Sequence, residues 1–178
     1  MRDAQYWIRQ LELVPHPEGG CFREVYRAPR SVSAPGFDPH AGRPAVTCIA
    51  YLLRQGEFSA FHRLRSLELW HFLDGGPVAL HRIFPDGAYA ETRLGLSADR
   101  GEVPQCAVDP GTWFAATPGE SASYSLVGCT VVPGFDFRDF ELGRREALLS
   151  EFPLHRALIE RFTLPEVVRD EGLPSHSS

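Results

Sequence analysis

Between Gly56 and Gly75 the chain reads G-E-F-S-A-F-H-R-L-R-S-L-E-L-W-H-F-L-D-G. Two apolar runs framed by glycines and broken near Arg65–Leu67 predict paired strands. Side chains two or four apart on a strand share a face. His62, Leu64, Glu68, Trp70 and Phe72 have one parity, so the turn sends all five toward one interior. His71 has the opposite parity and is expected to face outward or into a subunit contact. An imidazole and a carboxyl inside an apolar interior are costly unless they bond to each other, to a ligand or to a metal. His62 and Glu68 therefore read either as a structural pair or as the centre of a site.

The remainder of the chain supports a β fold. Its 16 glycines and 15 prolines fall between short apolar runs, the pattern of many short strands with frequent turns. C-F-R-E-V-Y-R, A-V-T-C-I-A-Y-L-L, P-V-A-L-H-R-I-F, A-Y-A-E-T-R-L, Q-C-A-V-D, T-W-F-A-A and Y-S-L-V-G-C-T-V-V are each bounded by Gly, Pro or Asp. Such an array predicts an all-β sandwich or barrel of jelly-roll type. Residues 3–12 have helical period, with Tyr6–Trp7, Gln10–Leu11 and Leu13 on one face and Pro15 as the stop. Residues 143–162 turn helical again, with Leu148, Phe152, His155 and Ile159 in phase and Pro153 splitting them into two short helices. A single domain over 1–165 and a polar tail over 166–178 are expected, the tail carrying His176. Residues 31–44 read as a long loop that holds a solvated His40.

A net charge of −5 argues against non-specific nucleic-acid binding, which needs clustered basic residues. No run of apolar residues is long enough for a transmembrane helix, and the first residues lack the order of a signal peptide. Cys21, Cys48, Cys106 and Cys129 are widely spaced and sit in apolar strands. They read as buried free thiols in a reducing cytoplasm. There is no nucleophile elbow.

Four segments resemble the Cupin_5 family, a branch of the cupin superfamily without an agreed activity. They are L-V-P-H-P-E-G-G-C-F-R-E-V-Y-R at 13–27, F-S-A-F-H-R-L-R-S-L-E-L-W-H-F at 58–72, P-G-T-W-F-A-A at 110–116, and Y-S-L-V-G-C-T-V-V-P-G-F-D-F-R-D-F-E-L at 124–142. The resemblance implies a double-stranded β-helix with a short N-terminal helix and one or two C-terminal helices. It also implies a homodimer with one pocket inside each barrel. The Gly56–Gly75 stretch has the spacing of the first cupin motif, whose second ligand position, a histidine in metal-binding cupins, holds Leu64. The third histidine of a general cupin is replaced by Phe114. Leu67 stands where the family usually has an acid, and V-D-P-G at 108–111 where it usually has V-P-A-G. Two protein ligands seldom hold zinc or iron. No cofactor is therefore expected, with a divalent metal at His62 and Glu68 as the alternative.

Three functions follow. The first is a metal-independent isomerase or epimerase on a small polar molecule, similar to cupin sugar-nucleotide epimerases. His62 would be its general base, Glu68 would hold its tautomer, and Tyr51 or Tyr124 would donate a proton if turned inward. The second is a non-catalytic small-molecule binder whose pocket is lined by Tyr51, Trp70, Phe72, Trp113 and Phe114. The third is a metal-dependent oxygenase or isomerase with an incomplete ligand set. His16 and Glu18, in P-H-P-E-G-G, are expected to stabilise that turn or to reach a neighbouring subunit's pocket. The alternating P-G-F-D-F-R-D-F-E run at 133–141 is expected to be a strand with one buried face.

Overall fold

The computed structural model describes residues 2–33, 36–37 and 42–165. His40, His176 and the tail over 166–178 lie outside the described residues. The chain begins with α1 (Ala4–Gln10), β1 (Val14–Pro15), β2 (Cys21–Arg27), β3 (Ser31–Val32) and β4 (Arg43–Pro44). It continues through β5 (Thr47–Arg54), β6 (Ser59–Leu64), β7 (Leu67–Gly75), β8 (Val78–Ile83) and β9 (Tyr89–Leu94). β10 (Gln105–Val108), β11 (Trp113–Pro118), β12 (Tyr124–Val132) and β13 (Phe140–Leu142) follow, then α2 (Arg145–Glu151) and α3 (Arg156–Arg161).

The strands form a six-stranded sheet ordered β1-β2-β5-β12-β7-β10 and a five-stranded sheet ordered β13-β6-β11-β8-β9. All these neighbours pair antiparallel. Their inner faces enclose a core that includes Tyr51, Leu53, Trp70, Leu80, Phe114 and Val127. This is the jelly roll expected from the turn-rich pattern. Burial alternates along β9 and the first half of β7, where the pleat sends successive side chains to opposite faces, whereas β6 and β11 are buried on both faces.

Two further cores lie outside the barrel. Under α2 and α3, Phe61, Ile83, Trp113 and Ala115 pack with Leu148, Phe152, Ile159 and Phe162. The split at Pro153 is as expected, a short 3-10 turn over Pro153–His155 joining the two helices. Under α1, Trp7, Ile8 and Leu11 pack on Leu52, Tyr124 and Leu126. Asp3 caps α1 by accepting from the Tyr6 amide at 2.7 Å, one of the donors a helix start leaves free. Tyr6 is exposed, against the expected shared face, and α1 ends at Gln10, well before Pro15.

The four cysteines are free. Cys129 alone is buried; Cys21, Cys48 and Cys106 are half-buried. No helix among the described residues is long and apolar enough to cross a membrane.

Candidate functional site

The strands around Gly56–Gly75 place His62 on β6 and Glu68 on β7, both buried and both lining one narrow cavity of about 30 Å³. Tyr51, Thr47 and Cys129 line it from β5 and β12, and Phe135 and Phe140 close it from the P-G-F-D-F-R-D-F-E segment. Trp70 is 1 % exposed and meets Tyr51 and Phe114 edge-on at 5.9 and 6.2 Å. Phe114 lies 4.0 Å from the His62 ring. These two aromatics pack beneath the lining as a second layer.

The His62 imidazole is paired with Glu18, not with Glu68. Its Nε2 is 3.2 Å from the Glu18 carboxyl. Its Nδ1 is 2.8 Å from the Ala60 carbonyl, which can only accept, so Nδ1 carries the proton. The tautomer expected to be set by Glu68 is set by the backbone.

Glu18 was expected to serve its own turn or a neighbouring subunit; it enters the barrel of its own chain. Its carboxyl accepts from Ser59 Oγ at 2.9 Å, and its carbonyl accepts from the Ala60 amide at 2.8 Å. A bulge makes the Ser59 contact possible. β11 pairs Phe114 with His62 but Ala116 with Ser59, leaving one extra residue in β6. That residue resets the alternation, so Ser59 and His62, three apart, share the inner face.

The P-H-P-E-G-G turn is held tightly enough to require its glycines. A Cβ on Gly19 (φ +116°) would lie 2.1 Å from the Phe58 carbonyl oxygen, and one on Gly20 (φ +65°) 2.7 Å from that of Leu52. No other residue tolerates both the backbone angle and that approach. The Gly19 carbonyl accepts from Tyr51 Oη at 2.8 Å, so Tyr51 anchors the turn that delivers Glu18. His16 accepts from the Glu18 amide at Nδ1 and packs edge-on against Phe22 and Tyr51.

Burial disfavours the charged form of each of these groups. It lowers His62 to about 4, partly opposed by the Ala60 hydrogen bond, and lowers His16. It raises Glu18, and it raises Glu68 to about 8 with help from the nearby Glu18 carboxyl. It pushes the Tyr51 hydroxyl and Cys129 thiol up as well. Burial disfavours charge on both partners of the Glu18–His62 contact, and with the Nδ1 proton facing the Ala60 carbonyl, Nε2 is an acceptor, so a hydrogen bond across this contact needs its proton on Glu18. With its titration near 8, Glu68 is mostly protonated at neutral pH; Cys129 and Trp70 lie beside its carboxyl and partly oppose the rise, and its Oε2 is buried with no hydrogen-bond partner among the described residues.

Three expected positions are corrected. Trp113 is on the outer face of its sheet, packed under α2 and α3 with Arg63 stacked on it at 4.5 Å. It neighbours the inward Phe114, and adjacent strand residues face opposite ways. Phe72 packs against the core but does not line the cavity; four residues past Glu68, it is about 13 Å farther along the strand. Tyr124 faces outward, where its hydroxyl donates to Asp74 at 2.9 Å.

The metal of metal-binding cupins does not fit this donor set. Leu64 lines the cavity where the second histidine would stand, and both His62 nitrogens already have partners. Among the described residues no group of three His, Cys, Asp or Glu side chains is arranged to hold an ion.

The fold and sequence have known relatives. The uncharacterized protein YML079W of Saccharomyces cerevisiae is 32% identical over 147 residues, 76% of this chain and 72% of that protein. The crystal structure of protein SO0799 from Shewanella oneidensis is 41% identical, with a TM-score of 0.84 over 93% of this chain and 100% of that one. A hypothetical protein from Leishmania major is 36% identical, with a TM-score of 0.85 over 92% of this chain and 100% of that one. Oxalate decarboxylase from Bacillus subtilis shares the fold at 14% identity, with a TM-score of 0.52 over 90% of this chain and 42% of that one. The Cupin_5 profile, described as cupin superfamily (DUF985), matches residues 5–143. With most of its length so matched, the chain belongs to the Cupin_5 family of the cupin superfamily.

Proposed function

We propose that the protein is a metal-independent acid–base enzyme of the isomerase, epimerase or lyase kind, acting on a small polar molecule next to a carbonyl. The observation that carries this reading is the cluster of three buried titratable side chains, Glu18, His62 and Glu68, around one small cavity. His62 Nε2 lies 3.2 Å from the Glu18 carboxyl, and Glu68 Oε2 has no hydrogen-bond partner among the described residues. Buried polar atoms without partners are uncommon and call for a ligand or an ordered water. A carboxylic acid kept neutral in an apolar site can donate a hydrogen bond to a carbonyl oxygen as negative charge develops there. Glu68, raised to about 8, suits that role.

Glu18 and His62 act as one unit that takes up or releases a proton. When a substrate proton moves to His62 Nε2, the Glu18 carboxylate at its side stabilises the imidazolium. Glu18 first gives up its own proton to substrate or solvent. Neighbouring carbons on a polar substrate are the natural donors and acceptors, which is the chemistry of enolisation and epimerisation.

Incubation in deuterated water with a panel of keto-sugars and other small carbonyl compounds, followed by proton NMR, tests this. Exchange at the carbon beside the carbonyl is expected for at least one class, falling by a factor on the order of 10² to 10⁴ in His62→Gln. Binding without exchange across the panel would instead favour a non-catalytic binding protein. The observation on that side is His62 itself, held at about 4 and so uncharged at neutral pH. A homodimer, implied by the family, is consistent with Val25, Tyr26 and Leu73, which are large apolar side chains more than half exposed.

A further inference from the structure

The cavity around His62 holds about 30 Å³, room for a water, whereas small-molecule sites run to roughly 300–1,000 Å³. Outside it lies an open pocket of about 610 Å³ bordered by Arg63, Arg65 and Arg138. Leu64 and Phe140 belong to the walls of both, so these two residues stand between the narrow cavity and the wider pocket.

Phe140 is the movable one of the two. Leu64 is 5 % exposed and sits within β6, paired on both sides, whereas Phe140 is half-buried and opens the three-residue edge strand β13. Its ring packs among four others, 5.4 Å from His62, 6.0 Å from Phe135, 6.2 Å from Phe137 and 6.3 Å from His16 between centroids, so turning it breaks aromatic contacts and no hydrogen bond. The backbone beside it is pinned, because Asp139 forms a buried ion pair with Arg43 at 2.5 and 3.0 Å. The side chain can therefore turn without the strand leaving the sheet.

The outer pocket carries positive charge. Arg63 is paired with Glu141 and Arg138 with Asp136. Arg65 rests over the Phe37 ring and donates to the Gly36 carbonyl, with no carboxylate among its described partners. We propose that ligands reach the Glu18–His62–Glu68 cavity past the Phe140 ring, and that the site takes small molecules whose anionic group stays outside at Arg65 while their neutral, carbonyl-bearing end enters. The substrate class rests on the acid–base reading above; the route does not.

Cys129 is buried in the barrel core and lines the inner cavity, whereas Cys48, whose register partner Thr130 is next to Cys129 on β12, faces the outer side of the same sheet, which makes the pair a built-in probe and reference. The protein is labelled with the anionic sulfonatoethyl and the cationic trimethylammonioethyl methanethiosulfonates, and each cysteine is followed by peptide mass spectrometry. Phe140→Ala is expected to speed labelling of Cys129, relative to Cys48, by about tenfold or more. Phe140→Trp, which fills the mouth, is expected to slow it. If Phe140→Ala labels everywhere because it has loosened, Phe140→Trp decides. An unchanged Cys129 rate in either folded variant overturns the route. The anionic reagent is expected to outpace the cationic one at Cys129 by about fivefold at low salt, a preference that Arg65→Ala removes. Equal rates for the two reagents overturn the anionic class. No turnover is read, so a failed exchange assay and a failed labelling assay refute different statements.

Discussion

Replacing Glu68 by Gln should make the protein more stable at pH 8 while leaving its shape unchanged. Glu68 titrates near 8 in the folded protein against an ordinary value of 4.5. Between those two values the folded chain holds a proton that the unfolded chain has lost, so stability falls as pH rises. At about 1.4 kcal/mol per unit, the loss reaches about 5 kcal/mol once the pH passes 8. His62 acts in the opposite sense. Lowered from 6.5 to about 4, it leaves the folded chain neutral where the unfolded chain is protonated, so its contribution grows as pH rises from about 4 to 6.5. The two slopes cancel between 4.5 and 6.5 and leave Glu68 exposed between 6.5 and 8, where it should cost about 2 kcal/mol. Glu18, also raised, adds to this decline.

Gln keeps the shape without the charge, at a cost of about 1–3 kcal/mol for amide hydrogens that find no acceptor. The net gain of Glu68→Gln at pH 8 is then about 2–4 kcal/mol. Urea unfolding followed by tryptophan fluorescence across this pH range measures it. The decisive quantity is the slope: between pH 6.5 and 8 the variant should lose about 1.4 kcal/mol per pH unit less than the parent. Parallel curves would refute the claim that Glu68 is buried as a neutral acid. The proton-loaded site would fall with it.

Gly19→Ala should destabilise by about 3 kcal/mol or more, from a strained backbone angle and a Cβ pressed on the Phe58 carbonyl, read as a lower urea midpoint. Arg43→Ala leaves Asp139 buried and unpaired and should cost about 3–5 kcal/mol, with the Arg43→Ala/Asp139→Ala double variant costing less than the sum of the singles in the same assay. Trp113→Ala should cost about 3–5 kcal/mol through the core under α2 and α3 while leaving the relative Cys129 labelling rate unchanged, because it lies on the far side of the sheet. Elemental analysis of protein purified without chelator should find zinc, iron and manganese well below one per chain, since the cavity offers too few free donors; a full equivalent would restore the metal-dependent reading.

Strand parity is local physics, and what rested on it was legible in the sequence. The pleat alone places His62, Leu64, Glu68 and Trp70 on one face, and Pro153 alone divides the C-terminal helices. The same rule, applied to Trp113 and Phe114, already forbids both from lining one cavity. Leu64 and Phe114 likewise announce the missing metal ligands without coordinates. The partner of His62 needed the tertiary structure. Glu18 and His62 are far apart in the chain, and their contact depends on a turn folding back over the barrel mouth. The two glycines of P-H-P-E-G-G were the available signal, since positive backbone angles and a close approach are what consecutive glycines supply. The β6 bulge that turns Ser59 inward has no mark in the local pattern, because it exists only as a mismatch of register with β11. The protonation of the site is also tertiary. A carboxyl stays neutral near pH 7 only when surrounding elements have removed its water, and no property of residue 68 alone determines that.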